Sequence, residues 1–409
     1  MLQKQPNLSK NKKYLLYLIL SNLFFTCVGY GYYYVTLSGY PLFGFMTAPI
    51  GRFDDFYNSL FPEFSEGIET RANFILAPAS ILIMKIFSLF EMHAAALLFF
   101  IIFLGFFFYI FGKFSNSLMF LIFLATSYPL QFSFARGNNE FILAALTAMI
   151  YSSLLKKRVI QSFRYFLIQM LIEPAYPVYL FQFTAHFSKI KKFLMKKSYV
   201  LVLVIVGFLL FEPFRNYVEK FISRTLFYGT ASGPGTALHS SSFSGVLQYL
   251  FLLINDEFPY TDTFYNTLIK CIFWGSLFFL LLFIGIHRKK IDLVTTSLLI
   301  PSFWTIGSSI SYDYRLVYFF VPVVLILMNE LQTYDKYLLI LISALFIPKP
   351  YILFTATNNS LGETLGSVVN PIIIVAIIIV TILRFLKMQS LLKKISQKNK
   401  TSTRRQIEI

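Results

Sequence analysis

Long apolar runs separated by short polar turns fill this chain, and they set narrow limits on its fold. Tyr14–Tyr34, His93–Gly112, Leu118–Ala135, Phe141–Leu155, Val159–Ile172 and Tyr176–Phe187 are the first six runs. Tyr199–Phe211, Thr267–Ile286, Leu293–Ile310, Leu316–Met328, Tyr337–Phe354 and Pro371–Leu386 follow. Hydrophobic residues make up 56% of the 409 positions and charged residues only 13%. No soluble fold has enough polar surface to cover that composition, so the sequence predicts an all-α polytopic membrane protein of about 12 crossings. Several runs fall short of the roughly 20 residues that an α-helix needs to span a bilayer. A basic start followed by a long apolar run with no small-residue cleavage site reads as a retained first span.

The net charge of +17 resembles that of a nucleic-acid binder, but the placement of the cations argues against nucleic acid. With the twelve runs crossing and Phe74–Phe90 held on the outer side, 24 of the 36 Lys and Arg fall on one face. Of the 19 acids, only Asp292, Glu330, Asp335 and Glu408 share that face. Short basic loops mark the cytoplasmic side, so both termini are expected there. The charge is then a topology signal. If Phe74–Phe90 crossed as well, Lys156-Lys157-Arg158 and every later basic loop would turn outward. That segment is therefore expected to be re-entrant or interfacial. The sequence divides into one transmembrane domain, 1–390, with outer loops 37–91 and 213–265, and a basic cytoplasmic tail, 391–409, expected to be irregular.

Polar chemistry collects on the opposite, outer face. Gly51-Arg52-Phe53-Asp54-Asp55-Phe56-Tyr57-Asn58 follows the first span. Carboxylates at a lipid boundary are tolerated where water or a partner solvates them; the plain alternative is a solvated turn. Arg136-Gly137-Asn138-Asn139-Glu140 holds more polar groups than a turn requires, since Gly-Asn alone would serve. A guanidinium suits phosphate oxygens and amides suit sugar hydroxyls, although Arg136 at a lipid headgroup would explain the turn equally simply. Ser311-Tyr312-Asp313-Tyr314-Arg315 holds the same position between two later spans. Asp313 and Arg315 there either pair with each other or meet a ligand. Glu173-Pro174-Ala175-Tyr176-Pro177 splits an apolar stretch into two arms of a broken hairpin, a form allowed where the irregular backbone lines a cavity. Charge inside the spans is sparse, chiefly Arg164 and Lys270. No P-loop, dinucleotide fingerprint or metal motif occurs. The paired acids leave a divalent ion, Mg²⁺ or Mn²⁺, open as a cofactor.

These pieces, in this order, resemble the GT-C superfamily of integral-membrane glycosyltransferases. Within it they resemble the bacterial polyprenyl-phosphate-mannose-dependent mannosyltransferase-like family. The resemblance rests on Asp55-Phe56-Tyr57-Asn58-Ser59, Phe134-Ala135-Arg136-Gly137-Asn138, the Glu173–Pro177 break and the stretch Ser311 to Leu316. Two positions depart from that family's pattern. Asn73-Phe74-Ile75-Leu76-Ala77-Pro78 replaces a Tyr-Pro-Pro start, and Glu173 stands where a lysine is usual.

The resemblance implies a GT-C-like bundle with interfacial helices on its outer face, in the cell membrane and acting in the cell envelope. It implies transfer of a sugar, mannose or another hexose, from a polyprenyl-phosphate carrier to a glycan or lipid acceptor on the non-cytoplasmic face. Asp55 is then the general base, with Asp54 as the fallback. Arg136 and Arg315 are expected on the donor phosphate. Asn58, Asn138, Asn139, Glu140, Tyr176 and Asp313 are expected on sugar or acceptor. A polyprenyl-linked glycan or lipid transporter, or a polysaccharide polymerase, is the alternative reading.

Overall fold

The computed structural model describes residues 11–36, 86–87, 89–136, 140–172, 177–196, 212, 242–247, 250, 263–308, 313–347 and 361–407. Most of the two outer loops, and the run Tyr199–Phe211, lie outside them. Among the described residues all regular structure is helical, as the composition predicts. The helices are α1 (Lys12–Thr36), α2 (Met92–Ser115), α3 (Leu118–Thr126), α4 (Tyr128–Arg136), α5 (Glu140–Leu155) and α6 (Val159–Ile172). A 3₁₀ segment, Pro177–His186, leads into α7 (Phe187–Lys196). Then come α8 (Thr263–His287), α9 (Leu293–Gly307), a second 3₁₀ segment (Asp313–Phe319), α10 (Phe320–Leu327), α11 (Thr333–Leu345) and α12 (Leu361–Ile407).

Three of these are long and apolar enough to cross a membrane: His93–Ser115, Thr263–His287 and Val368–Leu391. A count of about twelve crossings goes beyond them. Their outward faces carry Ile101, Ile102, Phe278, Phe279 and Ile372, each more than half exposed. A water-soluble surface rarely leaves so many large apolar side chains open along its longest helices, and a lipid-facing one does.

The second 3₁₀ segment and α10 form the axis of the core. Leu316 to Leu327 are almost completely buried, as expected of a helix that is apolar on every side. Seven 3₁₀ residues and eight α-helical ones together rise about 26 Å, because the 3₁₀ form gains more length per residue. A run that is short by residue count thus approaches bilayer thickness. Phe320 meets Phe107, Phe111, Phe123 and Phe346 at ring-centroid distances of 6.2, 6.1, 6.1 and 5.1 Å. Four helices therefore meet around one ring, in edge-to-face geometry that suits aromatic quadrupoles.

Several expected boundaries shift. The run Leu118–Ala135 is two helices, broken at Ser127, whose backbone is extended (φ −83°, ψ 135°). Pro129 causes this: it has no N–H to give, and its ring crowds the carbonyl four residues back. That carbonyl, on Ala125, accepts instead from Gln131 Nε2 at 3.1 Å. The run Tyr337–Phe354 is helical from Thr333 to Leu345, because Asp335 Oδ2 accepts the Gln332 N–H at 3.0 Å and starts the helix earlier. The tail from Lys393 is helical to Ile407 rather than irregular. No Gly or Pro occurs between Ile372 and Ile407, so nothing in that stretch breaks the helix.

The described turns sort to two ends of the bundle. At the basic end, Asn11 Nδ2 donates to the carbonyls of Leu327 and Asn329 at 2.8 and 2.9 Å. Arg384 of α12 joins Asp292 at 2.9 Å and Asp335 at 2.6 Å. Asp292 also caps α9 by accepting the Thr295 N–H at 2.7 Å. One guanidinium thus ties three helices together, so the sparse charge expected inside the spans includes a paired Arg384. α7 lies at this end with Ile190 buried and Lys189, Lys191 and Lys192 exposed, an interfacial pattern.

Helices α8 and α9 approach closely where Gly307 faces Ser276. A Cβ added at Gly307 would lie 2.8 Å from Ser276 Cβ and 3.0 Å from its Oγ. Small residues permit such approach in lipid. Gly307→Ala is expected to cost about 1–3 kcal/mol of stability, read as a lowered Tm in detergent. Gly275→Ala on α8, which has open space, is the control expected to be neutral.

Candidate active site

The other end of the bundle is built around Glu140. Gly137, Asn138 and Asn139 supply turn residues between α4 and α5, and Glu140 is the first residue of α5. A carboxylate there meets the positive end of the helix dipole. The side chain is nonetheless buried, at 7% exposure, and a buried carboxylate requires partners.

Both partners come from the second 3₁₀ segment. Arg315 Nε lies 3.4 Å from Glu140 Oε1, an ion-pair distance. Tyr318 donates its hydroxyl to Glu140 Oε2 at 2.5 Å. Residues three apart eclipse on a 3₁₀ helix, so Arg315 and Tyr318 stand one above the other and present both groups to one carboxylate. An α-helical form would offset them around the axis. The ring of Tyr318 packs on Tyr179, 5.7 Å between centroids. Tyr179 lies two residues into the first 3₁₀ segment, which begins at Pro177 directly after the Glu173–Tyr176 break.

Three stretches that are far apart in the chain therefore meet at one end: the Arg136–Glu140 turn, the Asp313–Arg315 turn and the start of the Pro177 segment. Sequence reasoning placed all three on one face, and the structure brings them into contact. It adds one pairing. Arg315 pairs with Glu140, a contact the sequence reading did not contain; the Asp313 side chain, the partner expected for Arg315 in one of the two readings, lies outside the described side chains. This makes Glu140 a structural partner of Arg315, beside its expected place on sugar or acceptor. Tyr318 and Tyr179 were missed. The three-residue spacing from Arg315 to Tyr318 was the available signal, hidden because an apolar run was read with α-helical periodicity.

Arg136 is the last residue of α4 and Asp313 the first of its 3₁₀ segment, so the backbone of both lies at this end. Asp54, Asp55, Asn58, Asn138, Asn139 and Tyr176 lie outside the described residues.

A polar line continues inward from Glu140. Glu140, Thr147 and Tyr151 fall on one face of α5 at helical spacing, and all three are buried. Thr147 Oγ1 accepts from Gln169 of α6 at 3.2 Å. Beyond the sparse charge expected inside the spans, the bundle thus buries a line of uncharged polar groups. Among the described residues no group of three or more His, Cys, Asp or Glu comes together, and the acidic pair Asp54–Asp55 lies outside them.

The arrangement holds the cationic side chain of Arg315 in a fixed position at the rim of the bundle, with a tyrosine and a helix terminus beside it. Chemically this can orient an anion at a hydrophobic boundary. No protein family, characterised protein or solved structure matches the chain.

Proposed function

We propose that the chain is an integral-membrane glycosyltransferase that moves a hexose from a polyprenyl-phosphate carrier to a glycan or lipid acceptor on the non-cytoplasmic face. The observation that carries the reading is the Arg315–Glu140 pair at 3.4 Å. It joins the two turns that the family resemblance assigns to donor binding. A lipid-borne donor enters from the bilayer, so its phosphate belongs at such a rim.

The transfer step balances with residues of this chain. The acceptor oxygen bonds to the anomeric carbon while the bond from that carbon to the phosphate oxygen breaks. Asp55 takes the acceptor proton, as general base. The electron pair leaves on polyprenyl phosphate, whose charge Arg136 and Arg315 stabilise. Glu140 and Tyr318 hold Arg315 in place and are positioning residues.

Polyprenyl-phosphate sugar and acceptor, incubated with the purified chain, should yield glycosylated acceptor. Movement of intact lipid across a vesicle wall without bond cleavage would make the chain a transporter, the reading that the buried polar line of α5 favours. Arg136→Lys keeps the charge but loses the fork; donor affinity is expected to fall about tenfold, and unchanged binding in Arg136→Ala would remove Arg136 from the donor site. Topology is checked by cysteine labelling in intact cells. Ser65→Cys should react with an impermeant reagent and Ser396→Cys should not; the reverse pattern would invert the site.

A further inference from the structure

At the basic end of the bundle, α2, α5 and α6 line a half-open cavity of about 140 Å³. Lys113 reaches it from the last turn of α2, and Lys156 and Arg158 from the turn between α5 and α6. Lys113 thus converges with two cations more than forty residues further along the chain, and no carboxylate lines the cavity.

The turn that places two of them is itself specified. The Lys157 N–H donates to the Leu154 carbonyl and the Arg158 N–H to the Ser153 carbonyl, both at 2.9 Å. This is the Schellman closure of a helix, which asks for a left-handed residue and usually takes glycine. Lys157 fills that position with φ 57°, a conformation unfavourable for a residue with a Cβ. The closure sets Lys156 and Arg158 on the two sides of Lys157, and both line the cavity.

The walls add neutral donors. Ser152, Ser153, Gln161 and Tyr165 line them, with Gln161 Nε2 donating to the Tyr165 hydroxyl at 2.8 Å. Gln161 lies in the first turn of α6, whose positive dipole end points to this side. The inner wall is apolar, formed by Ile110, Phe114 and Met149. Beside it runs the open face of α2, where Tyr109, Ile102 and Ile101 are all more than half exposed. Lys113 lies over the Tyr109 ring, 4.3 Å from its centroid. A topology signal requires only that cations be on the right side of the membrane. It does not require that they converge on a cavity with hydroxyl and amide donors and an apolar path leading away along a span.

We propose that this cavity is a binding site for the phosphate of an anionic membrane lipid, with the headgroup among Lys113, Lys156 and Arg158 and the acyl chains along the open face of α2. The guanidinium of Arg158 can fork onto two phosphate oxygens, and the ammonium groups act as point charges. The proposal does not depend on glycosyl transfer at the other end of the bundle.

Full-length protein in neutral detergent is titrated with phosphatidylglycerol, phosphatidylcholine and inorganic phosphate, and bound lipid is counted by native mass spectrometry. Phosphatidylglycerol should be retained at least tenfold better than phosphatidylcholine. Lys113→Gln with Arg158→Gln should lower that retention roughly 30-fold, at about one kcal/mol of attraction per cation. Both residues are exposed, and Arg158→Gln alone provides a milder test, expected near fivefold. Lys189→Gln with Lys192→Gln on α7 removes the same charge outside the cavity and should leave retention unchanged. Equal losses in the two double variants would reduce the effect to surface charge and overturn the proposal. Displacement of the lipid by millimolar inorganic phosphate would assign the cavity to a soluble anion and overturn it as well.

Discussion

Asp55→Asn is expected to abolish sugar transfer while donor binding survives. The amide keeps the size and shape of the carboxylate but cannot take a proton, and loss of a positioned general base typically costs 10²–10⁴ in rate. Asp54→Asn removes the same charge one residue away. Adjacent residues on a helix point about 100° apart, so only one of the two side chains is expected to face the acceptor. The contrast between the variants therefore reports position, because the change in net charge is identical. Initial rates of transfer, beside donor affinity measured on the same preparations, give the result. An inactive Asp54→Asn with an active Asp55→Asn would exchange the two roles. Full activity in both would leave the acidic loop as solvated surface and remove the proposed base.

Arg315→Ala is expected to lower stability by about 3–5 kcal/mol, since it leaves the buried Glu140 carboxylate without its cation. Loss of one partner of a buried pair is far more costly than loss of both. Glu140→Gln combined with Arg315→Met should therefore regain most of the stability that Arg315→Ala loses. Tyr318→Phe removes only the hydroxyl that donates to Glu140 Oε2 at 2.5 Å, at a cost of about 1.5–3 kcal/mol for a hydrogen bond to a charged group. Activity separates the structural role from the donor role. If Arg315 also stabilises the leaving phosphate, the double variant folds but transfers sugar slowly. A double variant with restored stability and full activity would confine Arg315 to holding the turn.

The sequence disclosed the all-helical, apolar class of the fold and the turns that meet around Glu140, for definite physical reasons. Apolar runs between polar turns are readable because lipid demands that every backbone group be satisfied within a helix. The common location of the Arg136–Glu140 and Asp313–Arg315 turns was readable because basic loops fix the direction of each span. Contact between Glu140 and Arg315 was not. The two are 175 positions apart, and which side chains meet depends on the 3₁₀ twist of Asp313–Phe319, which apolar composition does not reveal. Likewise Arg384 reads as a stray charge at the end of a span. Only the fold shows that it closes against Asp292 and Asp335. The break at Ser127 was legible in principle, since Pro129 announces it, but a continuous apolar run outweighed one proline.

Release of polyprenyl phosphate by the purified full-length chain tests the central proposal most directly. A panel of polyprenyl-phosphate hexoses is offered with a glycan or lipid acceptor, and free carrier and glycosylated acceptor are measured together. The account predicts that at least one donor, mannose among the first to be tried, yields the two products in equal amounts. It predicts that Asp55→Asn yields neither while still binding that donor. Intact carrier across the whole panel, or release that Asp55→Asn leaves unchanged, would contradict it.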